Sequence, residues 1–155
     1  MKRRTIAYIG LIAIILLIVH CSSAGNDTRT KLYFYNPKLD QGAGGVECSR
    51  KGLVAVERTI PKTTLEDAIE LLLKGELTDK ERMEGITTEF PLKGVELKDV
   101  DVKDGIATLT FIDPESRTSG GSCRSGVLWF QIEATAKQFS GITKVKFMPE
   151  DLFQP

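Results

Sequence analysis

Apolar side chains recur along this chain with two different periods, and the switches between them mark out its elements. Leu32-Tyr33-Phe34-Tyr35 is an aromatic run stopped by Asn36-Pro37, which predicts a strand and a turn. A glycine-rich loop over 41–52 follows, and Leu53 to Ile60 then predicts a second strand stopped by Pro61. The apolar density of both strands places them centrally in a sheet. Thr63-Thr64-Leu65-Glu66 fits a capping box with Thr63 as the cap. Beyond it, Leu65, Ala68, Ile69, Leu72 and Leu73 recur at helical spacing, Glu66, Asp67, Glu70 and Lys74 lie opposite, and Gly75 suits a left-handed stop. Thr78-Asp79-Lys80-Glu81 repeats the capping pattern, Gly85 closes a short helix, and Ile86 to Pro91 is extended.

The sharpest local signal is Val100 to Phe111, where Asp104-Gly105 makes a two-residue hairpin turn. Such a turn pairs Lys103 with Ile106, Val102 with Ala107, Asp101 with Thr108 and Val100 with Leu109. Val100, Val102, Ala107, Leu109 and Phe111 then share one face. Asp113 to Ser125 reads as a loop, and Val127 to Phe139 as a second long helix with Leu128, Ile132, Thr135, Ala136 and Phe139 inward and Gly141 as its stop. Thr143 to Phe147 alternates before Pro149, predicting a half-exposed last strand with lysines toward solvent. The fold class is α+β: two long helices packed on a mixed or antiparallel sheet of about five strands, in the order β-β-α-β-β-α-β.

The first 21 residues are different in kind. Lys2-Arg3-Arg4 precedes an apolar run from Ile6 to Val19, the pattern of an export leader, and the run is short for a membrane span. Leu17-Ile18-Val19-His20-Cys21 resembles a bacterial lipobox that would leave Cys21 lipidated, although His20 stands where a small residue is usual. Ser22-Ser23-Ala24 offers a rival cleavage that would discard Cys21. The leader predicts an extracytoplasmic domain attached to a bacterial membrane, as a lipoprotein or by a signal anchor, with a secreted form as the remaining outcome. Residues 22–30 carry no large apolar side chain and read as a tether, 31–149 as the domain, and 150–155 as a C-terminal tail.

Charge and composition narrow the chemistry. The chain has 21 basic and 21 acidic residues, and three of the basic ones precede the apolar run, so the remainder is mildly acidic and no nucleic acid partner is expected. The single histidine, His20, lies in the leader, which excludes His-dependent nucleophilic catalysis and His-containing zinc sites from the domain. No cofactor or metal is implied. Of three cysteines, Cys48 and Cys123 sit in Gly/Ser-rich loops and are expected to form a disulfide, the alternative being two buried thiols. That bridge would bring Arg50, Lys51, Arg117 and Arg124 into one basic knob beside a helix N-terminus after Ser125, able to receive an anionic group of a wall polymer. The plainer reading is a solvated, stapled loop pair. Asp99, Asp101 and Asp104 on the hairpin, with Asp113 and Glu115 beyond it, raise paired acid/base chemistry or calcium binding, but alternation places Asp99 and Asp101 on the outer face as solvated carboxylates. Trp129 reads as packing rather than ligand stacking, and Tyr33 and Tyr35 as sheet packing, a carbohydrate platform being the rival.

Five pieces in order carry a family resemblance: Val56-Glu57-Arg58-Thr59-Ile60-Pro61, the Leu-rich stretch Ala68 to Gly75, Glu84-Gly85-Ile86, the hairpin Val102 to Leu109, and Gln138 to Val145. Together, from Leu32 to Met148, the chain resembles the GerMN domain family of bacterial spore-germination and cell-envelope proteins. The resemblance implies a compact α+β domain outside the cytoplasmic membrane, tied to envelope or spore assembly, with no catalytic activity and no catalytic residues to carry over. The chain departs from the family pattern in showing one copy where GerM carries tandem copies, and in the Cys48/Cys123 pair. The function expected is a non-enzymatic envelope-binding or assembly domain contacting an envelope protein or cell-wall polymer. A self-associating homo-oligomeric module and, further off, a carboxylate-dependent glycan hydrolase are the alternatives.

Overall fold

The computed structural model describes residues 28–60 and 64–154. The leader with His20 and Cys21, the first part of the tether, and Thr63 lie outside the described residues. Among the described residues no helix is long and apolar enough to cross a membrane.

The chain begins with β1 (Thr28–Tyr35), which pairs antiparallel with β4 (Leu53–Ile60) in register Leu32 to Val56 and Phe34 to Val54. Between them a small ribbon of β2 (Gln41–Gly42) and β3 (Gly45–Val46) is flanked by 3-10 turns at Pro37–Leu39 and Arg50–Gly52. Helices α1 (Leu65–Leu73) and α2 (Asp79–Met83) follow, then β5 (Glu96–Lys103), β6 (Ile106–Ile112), α3 (Ser122–Lys137) and β7 (Lys144–Met148). The hairpin register is the one the Asp104-Gly105 turn dictates, with Lys103 opposite Ile106 and Val100 opposite Leu109. β7 runs parallel to β6, which requires a crossover, and α3 supplies it.

Mixed α+β architecture is thus observed, but the single sheet of about five strands is not. The strands divide into a β1-β4 pair, the β2-β3 ribbon and a mixed three-stranded sheet β5-β6-β7. The cause is visible at the outer edge of β1. There the backbone N–H of Tyr33 donates to Thr135 Oγ1 (3.0 Å) and that of Lys31 to Gln138 Oε1 (2.9 Å), while Gln138 Nε2 donates back to the Lys31 carbonyl (2.5 Å). At Tyr35 the edge is taken by Thr87, through backbone bonds in both directions. Side chains of α3 therefore occupy the groups a further strand would need, so β1 and β4 are a ribbon rather than central strands.

Both longer helices bridge the two larger sheets: α1 touches β1 and β5, α3 touches β1 and β7, and the helices touch each other. The core joins Leu32 and Phe34 of β1, Ile69 and Leu72 of α1, Leu109 and Phe111 of β6, and Leu128 and Ile132 of α3. Val102 shares the face of Ala107 by register yet is 50% exposed, because β5 is the edge strand of its sheet. Trp129 packs edge-on against Phe147 (4.9 Å between ring centres), as packing rather than as an open platform.

Several boundaries move. β1 starts at Thr28, inside the stretch read as tether, since Thr30 is buried and its hydroxyl reaches Gln138. The C-terminal tail is not free either: Phe153 is fully buried, its ring edge-on to Phe111 at 5.3 Å and tilted against Phe147 at 5.1 Å between ring centres. The cap of α1 is Thr64, whose hydroxyl accepts from the Asp67 N–H at 3.0 Å, one residue beyond the expected cap. α3 starts at Ser122 rather than Val127, because its cap is Gly121, which has no side chain to signal the start. Gly75 does end α1 with φ +63°, and a Cβ there would collide with the Phe90 carbonyl.

The short helix α2 is fixed by the expected capping box of Thr78 and Glu81 and by Arg58 of β4, which donates to both Glu81 oxygens at 2.7 Å. The hydrogen bonds from Arg58 lead in holding the Glu81 carboxyl down at about 2, against the opposing effect of burial. A carboxyl depressed on folding stabilises fully above its unfolded value near 4.5 and loses that contribution as pH falls toward the folded value. Glu81→Gln is therefore expected to lower stability at pH 7 by on the order of 3 kcal/mol. In urea titrations across pH, the gap to wild type should close between about pH 4.5 and pH 2. A gap independent of pH would contradict this assignment.

Candidate functional site

Cys48 and Cys123 are joined in a disulfide with their Cα atoms 5.2 Å apart, closing a loop of 75 residues. Cys123 sits in the first turn of α3 rather than in a loop, so the bridge ties the 37–52 loop to that turn. The loop has its own internal frame. Asp40, 1% exposed, accepts hydrogen bonds from Tyr35 Oη (2.5 Å), Ser49 N (2.5 Å) and Ser49 Oγ (2.6 Å). Burial acts to raise the Asp40 carboxyl, but the donors from Ser49 and Tyr35 outweigh it and hold the group below the usual carboxylate range. The same bond, after burial, pushes the Tyr35 phenol up. Gly52 passes so close to the Tyr35 ring that a Cβ would collide with it. Tyr35 is thus buried framework and not a carbohydrate platform.

The four cations read as a basic knob are not a bare patch. Arg50 pairs with Glu133 (2.5 Å) and lies 4.1 Å over the Phe130 ring, and Lys51 pairs with Glu47 (2.9 Å). Arg117 pairs with Glu115 (2.6 Å) and Arg124 with Glu89 (2.5 Å). Each of the four is paired with a carboxylate, Glu133 being shared between Arg50 and Lys137, and such pairs leave little net field to draw a polyanion. Asp113 likewise serves its own loop, accepting from the N–H groups of Arg117 and Thr118 and from the Thr118 hydroxyl. Asp99 and Asp101 are exposed on the outer face of β5, as alternation requires, and Asp104 is exposed in the hairpin turn. Among the described residues no group of three potential ligands could hold a metal ion.

What the arrangement does build is a groove of about 420 Å³ beside the disulfide. One wall is the start of α3, with Gly121, Cys123, Arg124 and Val127, and the other is Pro37 with Thr87 to Glu89. Tyr35, Leu128 and Gln131 also line it. Gln131 is 1% exposed, and its Nε2 donates to the Val127 carbonyl at 3.2 Å, but its Oε1 has no hydrogen-bond partner among the described residues. Neither Gln131 nor Glu89 stood out in the sequence. The available signal was the spacing of Gln131, Thr135 and Gln138, four and three residues apart on one helical face.

A family model described as sporulation and spore germination, Germane, matches residues 31–151. The chain belongs to this family. Among solved structures, the tandem GerMN domains of the sporulation protein GerM from Bacillus subtilis align at 18% identity and a TM-score of 0.49, over 83% of this chain and 41% of that one. The first GerMN domain of the same protein aligns at 20% identity and 0.43, over 77% and 80%. The chain therefore spans about two fifths of the tandem structure. No curated protein matches it in sequence. The GerMN-like reading of the sequence stands on the family match, and in this Germane domain the disulfide, the Asp40 frame and the groove are features of the chain's own residues.

The bridge is a direct test of the site's construction. Removing both cysteines as Cys48→Ser with Cys123→Ser is expected to lower stability by roughly 4 kcal/mol for a loop of this length. The intact oxidised protein should weigh about 2 Da less than the reduced one, two thiol hydrogens having been lost. Full thiol labelling without reductant would contradict the pairing.

Proposed function

We propose that this Germane domain is a non-catalytic binding or assembly domain, held outside a bacterial cytoplasmic membrane by its leader or by lipid on Cys21, and that it contacts an envelope component through the groove beside α3. The observation that carries the reading is the Cys48–Cys123 bridge flanking a preformed groove. A structural disulfide of this kind persists in an oxidising, extracytoplasmic compartment and not in a reducing cytosol. The apolar leader supports the same placement. The matched charges of Arg50, Lys51, Arg117 and Arg124 favour contact by shape and hydrogen bonding over attraction to a polyanion.

The test is topological. The full chain is expressed in a bacterial host, cells are converted to spheroplasts, and protease is added from outside, with free thiols blocked before any reduction. The domain should be digested in intact spheroplasts, remain with the membrane fraction before digestion, and show Cys48 and Cys123 unlabelled. A domain protected from external protease, with both thiols labelled, would overturn the reading.

A further inference from the structure

β5 is the outer strand of its sheet, and no strand among the described residues pairs with its far edge. In a two-residue hairpin the residues flanking the turn, here Lys103 and Ile106, exchange both backbone bonds. Alternation then aims the N–H and C=O groups of Val102 and Val100 away from β6. Leu97, opposite Phe111, falls in the same alternation counted along β6. These three residues also share the face of Ala107, Leu109 and Phe111, and Val102 stands half exposed there. The backbone groups a further strand would use and the apolar side chains it would cover therefore belong to the same residues.

We propose that two copies of this chain join through β5 as antiparallel neighbours, about a two-fold axis perpendicular to the sheet at Val100. Such an axis keeps each residue on its own face, so opposed residues must share a face. The register shift between Leu97 and Asp99 makes Lys98 an extra residue, a bulge. It leaves Leu97, Val100 and Val102 on one face and Glu96, Asp99, Asp101 and Lys103 on the other. With Val100 opposite its own copy, Leu97 meets Val102 and Glu96 meets Lys103, each twice by symmetry. Asp101 meets the bulge, where Lys98 offsets the like charge of Asp99. In a strand without the bulge, Glu96 and Lys103 are seven positions apart, lie on opposite faces and could not pair in this way.

Charge and shape both select a second copy as the occupant. Asp101 and Lys103 are exposed and have no ion pair among the described residues, and Glu96 has only Lys98 on its own strand. Unlike charges directly opposite stabilise a strand pair and like charges disfavour it. Beside Leu97 lies a cleft of about 430 Å³ lined by Leu73, Lys74, Val95 and Leu97 itself. The Val102 side chain of the second copy, set next to Leu97 on that face, enters it. Lysines and bulges on an edge ordinarily discourage pairing, and here their placement admits one register with one partner. The two three-stranded sheets become continuous, and the surface shares no residue with the groove beside α3.

The experiment is sedimentation equilibrium of the full chain in density-matched detergent micelles, with amide hydrogen exchange measured at both ends of the concentration series. One strand pair is a small interface, so the series runs up to about 1 mM. A monomer–dimer equilibrium is expected. As the dimer forms, the amides of Leu97, Val100 and Val102 should exchange more slowly, while those of Asp101 and Lys103, already bonded to β6, stay unchanged. Glu96→Lys and Lys103→Glu each set like charges opposite one another twice, and each alone should dimerise about tenfold more weakly. Both sites are exposed, so the fold is kept. Mixed in equal amounts, the two variants present unlike charges at both contacts, and their heterodimer should recover the wild-type affinity within about threefold. A monomer at every concentration would overturn the proposal. So would a dimer that both variants leave unchanged, a mixture that associates no better than its components, or slowed exchange confined to amides outside β5.

Discussion

The docking of one helical face on one strand edge decides the rest of this structure. β1 has β4 on one side, and its other side presents backbone groups that must be paired or exposed to water. Gln138, at the end of α3, answers Lys31 in both directions, its amide standing in for the peptide group of a neighbouring strand. Thr135, less than one turn earlier, takes the Tyr33 N–H. These bonds set the angle and depth at which α3 meets β1, and burial of Leu128, Ile132 and Ala136 against the core follows from that placement. They also explain why the strands form separate small sheets: an edge covered by a helix has no room for another strand.

Followed toward the start of α3, the same polar face reaches Gln131. Here the pattern breaks, because Tyr35, the next outward residue of β1, is paired with Thr87 instead. Gln131 keeps one bond to its own helix, and its Oε1 is buried with no partner among the described residues. The other side of the groove is held by the 37–52 loop, which is bridged to Cys123, pinned by Arg50 to Glu133 and organised internally around Asp40. Two firm attachments therefore flank the groove. Preorganisation of that kind lowers the cost of taking up a ligand.

Much of the local structure was legible in the sequence where its rule is local. The Asp104-Gly105 turn fixes its register by two residues, the Thr78/Glu81 capping box marks its own helix, and Gly75 stops α1 where the pattern ends. The sheet arrangement was not legible, because strand-forming residues in β1 and β4 do not reveal whether a strand or a glutamine will meet their edge. The start of α3 was hidden since a glycine cap has no side chain to read. Phe153 was placed in a tail because it stands alone after Pro149 and Leu152, and its partners Phe111 and Phe147 are distant in sequence. At the site, the cysteine pairing was legible from compartment and count. The neutralised cations were not, since Glu133 and Glu89 lie 83 and 35 positions from the arginines they pair with.

The central claim is that side chains of α3, not a strand, complete the edge of β1. Amide hydrogen exchange of Lys31 and Tyr33, in wild type and in Gln138→Ala, measures this most directly. The account predicts that both amides exchange slowly in the wild type, and that the variant loses protection at Lys31 by at least tenfold while the β1-β4 amides on the opposite edge keep theirs. Rapid exchange of Lys31 and Tyr33 in the wild type, or protection unaffected by the substitution, would contradict it.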